Sequence, residues 1–387
     1  MNNLGNNNYS RFVIRNLTRY SLTALLGIVL VGESVSAIPK SERVEVAQQQ
    51  GANSKEAIRA EALRLTNEGH KLLEQGTAES LKQAISKYEE ALELWRKAGD
   101  KKWQIPTMNI VGSIYSGLGN KQQALKFYKQ ALSLSREVGD KSGEALALNN
   151  IGGIYGDLGD RQQALKFYNQ ALPIMRKIGD KNQQAITLNN IGSAYNLLGD
   201  KQQALKFYKQ ALPLSQEIGN KKAEAGIINN IGRVYQNSGN HQLALKFYNQ
   251  ALTINQENRD KKGEATIINN IGRVYQLLGD KSRALKFFNQ SLLLSQEIGA
   301  KGQKVIALIN IGYAHNSLGD KQQALEFYNQ ALTLSKEVGD KFGEATTLHN
   351  IGNVRDSLGD KQQALELYNQ ALALSQKVGD KDGGATA

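Results

Sequence analysis

From residue 101 onward this chain repeats itself every 40 residues. Gly152, Gly192, Gly232, Gly272, Gly312 and Gly352 stand in strict register, as do Leu125, Leu165, Leu205, Leu245, Leu285, Leu325 and Leu365. A fixed period between about 20 and 50 residues marks a solenoid, in which each unit buries its apolar face only against its neighbours. A chain of 387 residues would ordinarily divide into about two or three domains. An array instead grows by adding units to one continuous core, and such arrays serve as binding surfaces more often than as enzymes.

The segment from 140 to 179 shows how one unit folds. Leu148, Ile151, Gly152 and Tyr155 recur at spacings of three and four, which places them on one face of a helix. Leu158-Gly159-Asp160 ends that helix: glycine accepts the left-handed conformation, and aspartate caps the helix that follows. Gln163 lies three residues after Asp160, a capping-box pattern that recurs at Asp200/Gln203, Asp320/Gln323 and Asp360/Gln363. Ala164, Leu165, Tyr168, Ala171 and Leu172 form the apolar face of the second helix, which stops at Gly179-Asp180. Each unit is therefore a helical hairpin with short turns. Gly152 and Ala164 are small where the helices must approach closely, and Tyr155 and Tyr168 fill the volume around that contact. Pro173 and Pro213 fall inside second helices, where a lost backbone hydrogen bond predicts a bend; Pro106 sits near a helix start and is harmless.

Leu148, Ile151, Gly152, Tyr155, Gly159, Ala164, Tyr168 and Ala171 occupy positions that resemble those of the tetratricopeptide repeat. The departures are Leu148 where that family places tryptophan, a missing closing proline, and a period of 40 rather than 34 residues, as in the kinesin light chain and spindle-orientation adaptor families. The resemblance covers roughly residues 58 to 387 and implies an all-α fold, an α-α superhelix of antiparallel helical hairpins. A divergent first unit spans 58–100, with Gly69, Gly76, Ala84, Tyr88 and Ala91 on pattern and extra residues around Thr77–Ser80. Seven regular units fill 101–380, and residues 381–387 repeat the opening of a further one. The chain is expected to be overwhelmingly helical and elongated.

Asn150, Asn190, Asn230, Asn270, Asn310 and Asn350 hold one position of successive first helices. The resemblance implies that first helices line an inner groove and that this row is similar to the asparagine ladder with which other members grip peptide backbone. A side-chain amide donates and accepts at once, so it can pair with a peptide group whatever the sequence. Two readings stand, a peptide-binding ladder or copies carried along by duplication. Variation between units escapes duplication. Three residues after the ladder lie Ser113, Gly153, Ser193, Arg233, Arg273, Tyr313 and Asn353; four further on lie Gly117, Asp157, Leu197, Asn237, Leu277, Ser317 and Ser357. These spacings keep all of them on the ladder's face. Arg233 and Arg273 form a local cationic spot suited to a carboxylate, unless they are two solvated arginines. Lys126, Lys166, Lys206, Lys246 and Lys286 form a second row, switching to Glu326 and Glu366, that reads as a solvated outer face.

The formal charge of +12 is spread along the array, and glutamates such as Glu217, Glu257 and Glu297 dilute the lysines. With no nucleic-acid docking motif, nucleic-acid binding is not expected. The chain has no cysteine, which excludes thiol catalysis and disulfides. His70, His241, His315 and His349 lack ligand spacing, so no metal or cofactor is expected. No catalytic set is present. Arg11, Arg15 and Arg19 precede an apolar stretch from Ser21 to Gly32, then Val35-Ser36-Ala37; this is the layout of a secretory signal, with an uncleaved anchor as the alternative. Residues 1–37 thus predict export, with membrane attachment only if the segment stays uncleaved, and 38–57 read as a polar linker. The expected function is a non-enzymatic scaffold that binds an extended, acidic peptide segment of a protein partner. The rival reading is the regulatory half of a split enzyme, a caspase-like peptidase or signalling protein.

Overall fold

The computed structural model describes the backbone of residues 40–383 and the side chains of 54–376. The expected signal or anchor over 1–37 lies outside the described residues. Among those described, every regular element is a helix. Helices α1 (Lys40–Gln75) and α2 (Ala78–Lys97) make the divergent hairpin; α3 (Lys101–Gly117), α4 (Lys121–Val138), α5 (Lys141–Asp157) and α6 (Arg161–Ile178) follow. Then come α7 (Lys181–Leu197), α8 (Lys201–Glu217), α9 (Lys221–Asn237), α10 (His241–Glu257) and α11 (Lys261–Leu277). The series closes with α12 (Lys281–Glu297), α13 (Lys301–Leu318), α14 (Lys321–Val338), α15 (Lys341–Ser357) and α16 (Lys361–Gly383). This is the all-α superhelical repeat class that the period implies.

Two compact units divide the chain. Among the described residues, one holds those up to Asp157 together with Asn169–Ile174; the other holds Leu158–Tyr168 and the described residues from Met175 on. In the first, Ala62, Leu65, Ala91 and Trp95 form a core that Trp103 extends by stacking on Trp95, centroids 5.4 Å apart. In the second, Ile228, Ala244, Tyr248, Ala251, Ile267, Ile271 and Val274 form one of several cores that recur at the repeat spacing.

Glycine makes the hairpins close. A Cβ placed on Gly192 would lie 2.7 Å from the Tyr208 ring, and one on Gly272 would lie 2.7 Å from Phe288. The aromatic side chain of each second helix thus lies directly on the glycine of its own first helix, a closer fit than volume-filling around a glycine–alanine contact. The other tyrosine stacks too: Tyr195 on Phe207 at 5.5 Å, Tyr235 on Phe247 at 5.4 Å and Tyr275 on Phe287 at 5.3 Å.

The expected caps form at Asp160 and Asp200, whose carboxylates accept from the Gln163 and Gln203 backbone N–H. Asp320 makes no such bond; its carboxylate lies 3.5 Å from His315 Nδ1 instead. The extra residues at Thr77–Ser80 build a full capping box. Both Pro173 and Pro213 lie inside helices that run on past them. Helix α1 begins at Lys40, so the polar segment read as a linker enters a helix, and α16 continues through Gly379-Asp380, where the pattern ends one. Glutamate, alanine and glutamine favour helix even without an apolar stripe, which accounts for the first difference.

Lysines at helix starts tie successive hairpins together. Lys201 Nζ donates to the Asn237 carbonyl at 2.8 Å and Lys321 Nζ to that of Ser357 at 2.7 Å, each at the C-terminal end of a first helix, where the dipole favours a cation. Lys281 does the same at Ser317.

Candidate functional site

The ladder positions fall on first helices, as the sequence predicts. Asn150 is on α5, Asn190 on α7, Asn230 on α9, Asn270 on α11, Asn310 on α13 and Asn350 on α15, and each is half-buried. The amides of Asn150, Asn230, Asn270 and Asn310 are already engaged with the preceding hairpin. Asn230 Nδ2 donates to Asn189 Oδ1 at 2.9 Å, Asn270 Nδ2 to Asn229 Oδ1 at 2.9 Å, and Asn310 Nδ2 to Asn269 Oδ1 at 2.8 Å. Between the first two regular units Asn150 Nδ2 donates to Asn109 Oδ1 at 3.3 Å, while Asn109 Nδ2 is anchored on the Ile105 carbonyl at 3.1 Å.

The partners stand immediately before the ladder position, at Asn189, Asn229 and Asn269 in Asn-Asn doublets and at Asn109 before Ile110. Reading the ladder alone missed them; the doublet itself was the available signal. It fails at Ile309-Asn310 and His349-Asn350, so no asparagine stands one repeat back to receive Asn350. Asn109 and Asn269 are buried. A buried amide without a partner would cost about 1–3 kcal/mol, so these bonds are part of what holds adjacent hairpins in register.

One turn on, Arg233 and Arg273 are half-buried on consecutive first helices, and no described carboxylate pairs with either guanidinium. What they meet is phenol. Burial pushes the Tyr208 hydroxyl above its ordinary range, and a bond with Ser193 Oγ (3.0 Å) and the neighbouring Arg233 pull it partly back. Burial likewise raises Tyr248, opposed by Arg233 and Arg273 together. Tyr248 therefore lies within the field of both guanidiniums, and its hydroxyl donates to Gln236 Oε1 at 2.8 Å. The buried tyrosines beneath this face are a feature that spacing did not reveal.

Other positions on this face diverge. Tyr313 is 49% exposed and Leu277 58% exposed, while Asn353 Oδ1 accepts from Tyr368 Oη at 2.7 Å. The lysine row at 126, 166, 206, 246 and 286 is exposed on second helices. The histidines have structural surroundings: His70 Nδ1 shares a hydrogen bond with Tyr88 Oη at 2.8 Å, and His315 stacks on Phe327 at 5.4 Å. Among the described residues no group of three or more His, Asp or Glu side chains could hold a metal ion, and no helix is long and apolar enough to cross a membrane.

A family model described as the tetratricopeptide repeat matches residues 76–137, 143–217, 224–297 and 303–377. No curated protein sequence matches the chain. Among solved structures, the apo quorum sensor NprR from B. thuringiensis is similar at 17% identity and a TM-score of 0.64, over 87% of this chain and 94% of that one. A Rap protein complexed with competence and sporulation factor is similar at 14% identity and 0.59, over 85% and 99%. A Rap conjugation gene regulator of plasmid pLS20, solved with a peptide, is similar at 15% and 0.58, over 83% and 96%.

Proposed function

Because the chain belongs to the tetratricopeptide repeat family, we propose that it is a non-catalytic protein-interaction scaffold whose first helices hold an extended, acidic segment of a partner protein. The observation that carries this reading is the Arg233–Arg273 pair, two half-buried guanidiniums without a carboxylate partner among the described residues, each three residues after a ladder amide on consecutive first helices. Guanidinium pairs with carboxylate in bidentate geometry, which selects acidic side chains. The amides of Asn230, Asn270 and Asn310 each keep an acceptor and a second N–H for peptide backbone, which is indifferent to sequence. Packed helices lie about 8–10 Å apart and an extended chain advances about 3.3 Å per residue, so successive rungs meet roughly every third residue of a ligand. The peptide seen in the similar Rap regulator supports a peptide as the ligand class.

The test is fluorescence anisotropy with a panel of extended peptides carrying one to three glutamates, each paired with its glutamine counterpart. Arg233→Ala with Arg273→Ala should weaken the acidic peptides by about 1–3 kcal/mol and flatten their salt dependence, since the lost contacts are ionic. The exposed pair Lys206→Ala with Lys246→Ala should leave affinity unchanged. Equal loss in both double variants would move the ligand to the lysine face and end this reading.

A further inference from the structure

The ladder amides are held by a second row of asparagines, and we infer that Asn189, Asn229 and Asn269 are positioning residues that set the orientation of the peptide-gripping amides of Asn230, Asn270 and Asn310. This rests on the ladder reading above and adds the device that makes it work. A free asparagine amide presents either its oxygen or its nitrogen in a given direction, because the group turns about its last side-chain bond. Each bond from Nδ2 to the asparagine 41 positions earlier removes that freedom. With one N–H committed to the preceding hairpin, planarity fixes the limb on which Oδ1 lies and where the second N–H projects. The Oδ1 atoms of Asn230, Asn270 and Asn310 have no partner among the described residues. A peptide therefore meets a row of amides turned the same way, an arrangement that favours an extended backbone whose own N–H and C=O groups recur in fixed order.

Repetition by duplication accounts for the doublets in the sequence. In all three bonds the ladder residue is the donor and the asparagine 41 positions earlier the acceptor. The chain also supplies its own control. Asn350 occupies the same register, but Ile309 stands where its acceptor would be, so its amide lacks the pin.

Side-chain amide spectroscopy on the intact chain tests this directly. In the unaltered protein, one Nδ2 proton of Asn270 and of Asn310 should be shifted downfield and protected from exchange, while Asn350 shows neither effect. Asn229→Leu removes the acceptor; Asn229→Asp keeps an oxygen in its place. The glutamine-bearing peptides serve as probes, so that the charge of the aspartate does not enter. Asn229→Leu should abolish the Asn270 signature and weaken binding about fivefold, and Asn229→Asp should restore both. Asn270→Ala separates the two ideas. If it leaves binding unchanged, the ladder itself is not the site; if it weakens binding while Asn229→Leu does not, the ladder stands and the positioning role is wrong. An Asn229→Asp variant that binds as poorly as Asn229→Leu, with helicity intact in both, would also overturn the inference.

Discussion

Arg259 adopts φ 54 at a turn where Gly139, Gly179 and Gly219 stand in other units, and it is the one described non-glycine residue with positive φ. The turn still closes: Arg259 N–H donates to the Gln256 carbonyl at 3.1 Å and Asp260 N–H to that of Asn255 at 2.8 Å. The backbone thus follows the array at the expense of the side chain, since the left-handed region costs an L-residue about 1–2 kcal/mol. Arg259→Gly should stabilise the fold by about 1 kcal/mol, read as a higher denaturant midpoint at constant slope; a lower midpoint would mean the arginine makes a compensating contact. At this scale the sequence was legible wherever a residue acts within its own hairpin. The Asp160 and Asp200 caps follow from spacing alone. The Asn230–Asn189 bond does not, because it depends on how far one hairpin is staggered against the next. The missing Asp320 cap was not legible either, since the same Asp-x-x-Gln spacing caps the helix at Asp160 and Asp200.

The hairpin is the element that carries the stability of the array. Ala244 is fully buried, and its carbonyl oxygen would lie 3.4 Å from a Cβ on Gly232, so the helices α9 and α10 are in near-backbone contact there. Ala244→Leu should destabilise by about 1–3 kcal/mol through overpacking, measured by chemical denaturation; a neutral result would place the helix contact elsewhere. The aromatic residues divide the work between them. Tyr208, Tyr248 and Phe288 each cover the glycine of their own hairpin, and Phe207, Phe247 and Phe287 stack on the second tyrosine of the first helix. Periodicity revealed both faces. It did not reveal which aromatic covers the glycine, because Phe207 and Tyr208 are neighbours and only the rotation of the helix decides. The same rotation brings the Tyr248 hydroxyl onto Gln236 Oε1, so this packing residue also ties down a side chain one turn beyond Arg233.

For the molecule as a whole, the hydrogen-bonded ties between hairpins quoted above recur at constant distances in sequence. Lys201 reaches 36 residues forward to Asn237, and Asn230 and Asn270 each reach 41 back. Such an interface works like a standard coupling, with a plug and a socket that fit any neighbour of the same gauge. Excising residues 221–260 should therefore leave no socket empty: Asn270 would face Asn189, and Lys201 would face the carbonyl end of α11. The shortened chain should unfold cooperatively, with unchanged helicity per residue and a protected Asn270 amide; aggregation or loss of that protection would show the couplings to be individually matched. If they are interchangeable, unequal recombination can lengthen or shorten the array by whole repeats without breaking it. Reach along a ligand then becomes a trait that varies by copy number, while the chemistry of each rung stays free to drift at single positions, as it has at Arg233 and Arg273.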